Sequence, residues 1–188
     1  MESSEGLADR ELMRRVQAGD AAAFDQLIKL YWDSMAGYAD RMLMDIDAAH
    51  DVVQEAFARL WQRRTEWEPI GSVRSYLYRS VRNLVVDSVR RRDAKARFVE
   101  LQQHVERTRP PTPDQDLEGE ELLVAAERAI QALPAKRREV FTLGHLQSRS
   151  YQEMSEILGI SVQTVANHMT LALADLRRML TPFLENRE

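Results

Sequence analysis

Cysteine is absent from the 188 residues, which excludes disulfides, a thiolate nucleophile and a zinc ribbon. Histidine occurs four times, at His50, His104, His145 and His168, and no two stand at a metal-ligand spacing. Neither a metal nor a cofactor is therefore predicted. No apolar run approaches the ~20 residues that span a bilayer, and the opening MESSEGLADRE has no signal-peptide core. The expectation is a cytoplasmic protein without membrane insertion. A glycine-rich phosphate loop, strand alternation and inward-facing Glu-x-x-His pairs are also missing, so no catalytic set is in view and an enzyme is not expected.

What is present is 44% hydrophobic and 30% charged residues, a balance that suits folded helical domains. The net charge of −4 conceals four blocks. Residues 1–72 carry 8 basic and 14 acidic side chains, residues 73–97 carry 8 and 2, residues 98–127 carry 2 and 8, and residues 128–188 carry 8 and 6. A phosphate-binding surface needs a local positive field, not a positive total. The stretch SVRSYLYRSVRNLVVDSVRRR, residues 72–92, supplies such a field on what reads as one helix. A solvated arginine face is the plain alternative.

Nearly all periodicity is helical. Phe24, Leu27, Ile28, Tyr31, Met35, Tyr38 and Met42 step by three or four, and Asp20 is placed to cap their helix. A second helix gathers Val52, Val53, Ala56, Phe57, Leu60 and Trp61 on one side. Pro69 and Gly71 then mark a loop, and Ser72 can cap the arginine-rich helix, whose apolar stripe is Val73, Leu77, Val81, Leu84, Val85 and Val89. Residues 98–118 hold three of the six prolines among acidic residues and read as an extended linker. The prediction is an all-α protein of two small helical domains, 1–97 and 119–188, joined by that flexible, acidic linker.

In the second domain YQEMSEILGISVQTVANHM has the shape of a helix-turn-helix. Gly159 ends a short helix, Ile160 plugs the corner, and Ser161 caps a second helix whose buried side is Val165, Met169, Ala172 and Leu176. Gln163, Thr164, Asn167, His168 and Thr170 then lie nearer solvent, where such a helix enters a major groove. A helical hairpin with an ordinary glycine cap is the alternative. From Val162 to Leu176 there is no arginine or lysine, so this domain alone is expected to bind DNA weakly.

Together these segments resemble bacterial RNA polymerase sigma factors of the extracytoplasmic function (ECF) group, in family order from about Leu12 to Leu180. ELMRRVQAGDAAAFDQLIKLYW is similar to the family's opening helices and DVVQEAFARLW to the helix that grips the polymerase clamp. WEPIGSVRSYLYRSVRNLVVDSVRRR resembles the promoter-melting segment, and ALPAKRREVFTLGHLQSRSYQEMSEILGISVQTVANHMTLALADLRRML resembles region four. The resemblance implies that Trp67, Pro69 and Ser72 build the loop holding a flipped minus-ten base. It implies that Arg74, Arg79, Arg82, Arg90 and Arg91 position phosphates, while Asn83 reads a base edge. Arg149, Ser161, Gln163, Thr164, Asn167, His168 and Thr170 would face the minus-thirty-five element. Asp51, Gln54, Glu55, Phe57 and Trp61 would bind the clamp coiled coil of the largest polymerase subunit.

The implied partners are core RNA polymerase, through that coiled coil and its flap region, promoter DNA, and an anti-sigma factor. The implied function is promoter recognition, melting and initiation at a specific regulon. A departure from the family is the lack of arginine in the reading helix, where Ala166, Asn167, His168 and Thr170 stand instead. The run Gln-Thr-Val-Ala-Asn-His-Met is also similar to the helix-turn-helix of response regulators. A stand-alone activator is therefore the alternative function, against which residues 1–97 lack a receiver's strand-helix alternation.

Overall fold

Short polar side chains decide where the helices begin. The Asp20 carboxylate accepts the Ala23 backbone N–H at 3.1 Å, and that bond, with the Arg15 guanidinium beside it, holds its pKa below the ordinary value. Asp45 caps the next helix on Ala48 N at 3.1 Å, and between them Met44 turns the chain at φ 53°. The structure, a computed structural model, describes residues 4–66, 72–100 and 119–185. Its helices are α1 (Ser4–Gln17), α2 (Ala21–Leu43), α3 (Ile46–Gln62), α4 (Val73–Glu100), α5 (Gly119–Ala132), α6 (Ala135–Phe141), α7 (Tyr151–Leu158) and α8 (Val162–Glu185). A 3-10 turn at Arg64–Glu66 follows α3, a π-helical turn at Thr142–Leu146 follows α6, and no strand occurs among the described residues.

In the first half α2 is the central element. Its Leu27, Met35 and Tyr38 are fully buried against Val53 and Leu60 of α3 and Leu77 and Val81 of α4. Each such side chain contributes roughly 1.5–3 kcal/mol on burial. Met13 and Val16 of α1 close the bundle, and the Tyr31 hydroxyl donates to buried Asp9. The apolar stripe of α4 ends sooner than its spacing suggests, because Val89 is exposed.

The second half packs α5 and α6 on α8, with Val140, Leu143, Met154, Ile157, Val165, Met169, Ala172 and Leu176 inside. Pro134 is the N-cap of α6 and not its first helical residue. Gly144 lies in the π-helical turn, where an added Cβ would have to displace the flexible end of Met169.

One expectation is corrected here. Residues 98–100 form the last turn of α4 instead of starting a linker; the remainder of the expected linker, 101–118, lies outside the described residues. The two halves pack on one another. Helix α4 packs on α7, and α2 packs on α6 and the π-helical turn, so one buried core runs through both. Sequence periodicity identifies which face of a helix is apolar, but not which of two apolar surfaces will find each other.

Candidate nucleic-acid interface

Ser72 starts α4 by accepting the Ser75 N–H at 3.0 Å while its own hydroxyl donates to Ser75 Oγ at 2.9 Å. From there the 3.6-residue period divides the polar side chains between two faces. Arg79, Asn83, Arg90 and Arg91 are exposed. Among the described residues Arg79, Asn83 and Arg91 have no ion pair or side-chain hydrogen bond, and Arg90 reaches only Asp87 at 3.9 Å. That face can take phosphates, and the free Asn83 amide can pair with a base edge.

The other face is covered. Arg82 Nε donates to Glu139 Oε1 at 2.7 Å, with the two side chains 16% and 8% exposed. Arg74 lies 3.8 Å from Glu153 and stacks its guanidinium 5.7 Å from the Tyr31 ring centroid. Of the residues expected to build the flipped-base loop, Ser72 is half-buried as a helix cap; Trp67 and Pro69 lie outside the described residues. Arg92, outside the expected set, bonds the Leu43 carbonyl at 3.0 Å and ties α4 to α2.

The helix-turn-helix is built as its residues require. A reciprocal capping box joins Ser150 and Glu153 at the start of α7, and Gly159 ends it at φ 66°. Ile160 packs half-buried in the corner, with its carbonyl held by Ser155 Oγ at 2.6 Å, and α8 leaves at 105° to α7. Ser161 Oγ caps α8 on Thr164 N at 3.0 Å and bonds the Thr164 hydroxyl at 2.8 Å. Gln163 and Asn167 are exposed and joined at 3.1 Å, Thr170 is exposed with its hydroxyl on Ala166 O, and His168 is half-buried. This surface is neutral and rich in amides, suited to base edges more than to phosphates.

Arg149 does not join it. Its side chain is 14% exposed, 3.7 Å from Glu153 and over the Tyr78 ring, so it faces the first half of the protein.

On α3, Asp51, Gln54 and Glu55 are exposed on one turn, with Glu55 bonded to Arg59 at 2.7 Å. Phe57 must be withdrawn from a contact role. It is 2% exposed, with its ring 6.3 Å from Trp32 and 6.2 Å from Phe24, and packing explains it fully. Trp61 is half-buried, tilted against Phe24 and covered by the Arg64 guanidinium at 4.5 Å. An open cleft of about 400 Å³ separates the acidic turn from α4, lined by Asp51, Glu55 and Arg59 on one side and Asp87 and Arg91 on the other.

The sequence reading missed Glu139, Gln147 and Glu156, which hold the two halves together. The available signal was Glu139 beside Val140 and Phe141, a carboxylate on the apolar side of a short helix.

Comparison with known proteins decides the family. A family model described as Sigma-70 region 2 matches residues 27–95, and one described as Sigma-70, region 4 matches residues 123–176. The chain is 29% identical to the ECF RNA polymerase sigma-E factor of Escherichia coli, covering 96% of this chain and 98% of that protein. It is 28% identical to the ECF RNA polymerase sigma factor SigW of Bacillus subtilis, over 91% and 96% respectively. The chain belongs to the ECF group of the sigma-70 family. It is a sigma factor, directing RNA polymerase to specific promoters, with core polymerase and promoter DNA as its partners. Its first half matches region 2 and contains no strand among the described residues, so the stand-alone activator is not favoured.

Two solved structures share the fold of this sigma factor. CnrH in complex with the cytosolic domain of CnrY aligns at TM-score 0.70 and 24% identity, covering 93% of this chain and 98% of that one. RpoE in complex with the anti-sigma factor NepR, from Bartonella quintana, aligns at TM-score 0.68 and 21% identity, covering 84% and 96%.

Proposed function

We propose that this sigma factor divides its task among three surfaces, with residues 1–97 serving the clamp and the minus-ten element and residues 119–188 the minus-thirty-five element. The acidic turn of Asp51, Gln54 and Glu55 docks on the clamp coiled coil of the largest polymerase subunit, with Trp61 at its margin. The exposed face of α4 takes the melted minus-ten strand: Arg79, Arg90 and Arg91 bind phosphates and Asn83 reads one base. The start of α8 reads the minus-thirty-five element through Gln163, Asn167 and Thr170, with region 4 also meeting the polymerase flap.

One observation carries this reading. Asn83 stands free among exposed arginines on a helix whose opposite side is packed, so its amide has no structural task within the described residues. An unbonded amide beside exposed guanidinium groups is free to pair with a base edge, which supports this reading. The chain performs no catalysis of its own and acts in the cytoplasm, where the polymerase is. Among the described residues no single helix is long and apolar enough to cross a membrane. An anti-sigma factor is a further partner, supported by the complexes in which CnrH and RpoE were solved.

The test is titration of core RNA polymerase with wild type and with Asp51, Gln54 and Glu55 all replaced by alanine. Alanine favours helix, so helix content should hold while affinity falls about tenfold or more. Equal affinity would remove α3 as the main contact.

A further inference from the structure

The polar groups at the start of α8 are sorted by the bonds they make with one another. Ser161 and Thr164 share a hydroxyl bond at 2.8 Å, and Ser161 Oγ also accepts the Thr164 N–H at 3.0 Å. Thr170 spends its hydroxyl proton on the Ala166 carbonyl at 3.0 Å. His168 is half-buried, and its Nδ1 is buried with no hydrogen-bond partner, so one edge of the ring is withheld from solvent. No lysine or arginine stands from Val162 to Leu176. The side chains left for base edges are the exposed amides of Gln163 and Asn167. They lie one helical turn apart, with Gln163 Nε2 donating to Asn167 Oδ1 at 3.1 Å.

Counting the hydrogens that remain gives the two amides different roles. An amide nitrogen carries two N–H donors beside an accepting oxygen. Gln163 has spent one donor, so it keeps one N–H and an unbonded Oε1. That donor-plus-acceptor pattern complements N7 and N6 of adenine. Asn167 directs its Oδ1 at Gln163, and its unspent end is Nδ2, a donor suited to O6 or N7 of guanine or O4 of thymine. Four residues rise about 6 Å along a helix against about 3.4 Å per base step, so the two amides reach base pairs within two steps of each other.

We infer that Gln163 and Asn167 read the major groove as one unit: Gln163 selects an adenine, while Asn167 braces the Gln163 amide and donates to a guanine or thymine nearby. The inference rests on the start of α8 being the minus-thirty-five reader. The brace matters because a free glutamine loses rotamer freedom on binding, whereas one already held by its neighbour loses less.

The test uses holoenzyme assembled from core RNA polymerase and the full chain. It retains duplexes from a pool randomised at the minus-ten and minus-thirty-five elements, and sequencing gives the base preference at each position. Wild type is compared with Gln163→Ala, Gln163→Glu, Asn167→Ala and Asn167→Asp, with helix content checked by circular dichroism. Wild type should prefer adenine about tenfold at one minus-thirty-five position. Gln163→Ala should abolish that preference, and Gln163→Glu, an acceptor alone, should move it to cytosine. Asn167→Asp keeps the bracing oxygen and loses the donors, so the adenine preference should persist while the nearby guanine or thymine preference disappears. Asn167→Ala loses both, and the adenine preference should fall about threefold.

An adenine preference that Gln163→Ala or Asn167→Ala leaves unmoved overturns the paired reading, as does one that Asn167→Asp reduces as much as Asn167→Ala. In those cases other α8 positions still shift and the helix keeps its place as reader. A minus-thirty-five preference that none of the four variants moves, or no preference there at all, overturns the inference together with the assignment of α8.

Discussion

The two faces of α4 carry the same side-chain chemistry in opposite states. On one, Arg79, Asn83 and Arg91 have no partner among the described residues. On the other, Arg74 and Arg82 are matched to Glu153 and Glu139 of region 4. Arginine content therefore does not identify a binding surface; what faces each arginine does. A free guanidinium at the surface costs little to expose, whereas one turned inward must be paired, and here the pairing joins two domains that sequence separates by a linker.

That contrast makes Arg82 and Arg79 unequal. Arg82→Ala leaves Glu139 buried with, among the described residues, Lys136 as its one remaining ion-pair partner, which should cost about 3 kcal/mol of the contact between halves. Thermal unfolding should lose cooperativity as the halves separate, and an unchanged single transition would show that the pair is not structural. Arg79→Ala should leave unfolding unaltered. Its effect belongs to initiation: output should fall at all promoters, with the salt dependence shallower by about one charge. A change in melting temperature instead would move Arg79 to the structural side.

A smaller effect comes from alkali. Tyr38 is buried and beside Glu139, which pushes its pKa well above the ordinary 10.0. The folded state thus holds the proton more tightly than the unfolded chain does. Stability from this group is complete below pH 10 and drains away as pH rises toward the raised value. Urea midpoints at rising pH should fall from that point, and Tyr38→Phe should flatten the fall.

The helices, their caps at Asp20 and Ser161, and the glycine turn at Gly159 were legible because each follows from a local rule of spacing or hydrogen bonding. The exposure of Asp51, Asn83 and Asn167 was legible for the same reason: they fall opposite an apolar stripe. Phe57 and Arg149 were misread because burial depends on a distant neighbour. Phe57 looks available until Trp32 is beside it, and Arg149 looks like a DNA cation until Tyr78 and Glu153 receive it. Glu139 illustrates the same limit, since its hydrogen-bond partners Arg82 and Tyr38 are 57 and 101 residues away.

The base-reading role proposed for α4 is tested most directly by Asn83→Ala in transcription from promoters with each minus-ten position varied in turn. The amide is expected to be worth roughly 1–3 kcal/mol at one base position, so preference should relax there and persist at every other. A uniform fall in output, with no position losing its preference, would contradict a base-reading α4 and leave Asn83 a surface residue of the helix.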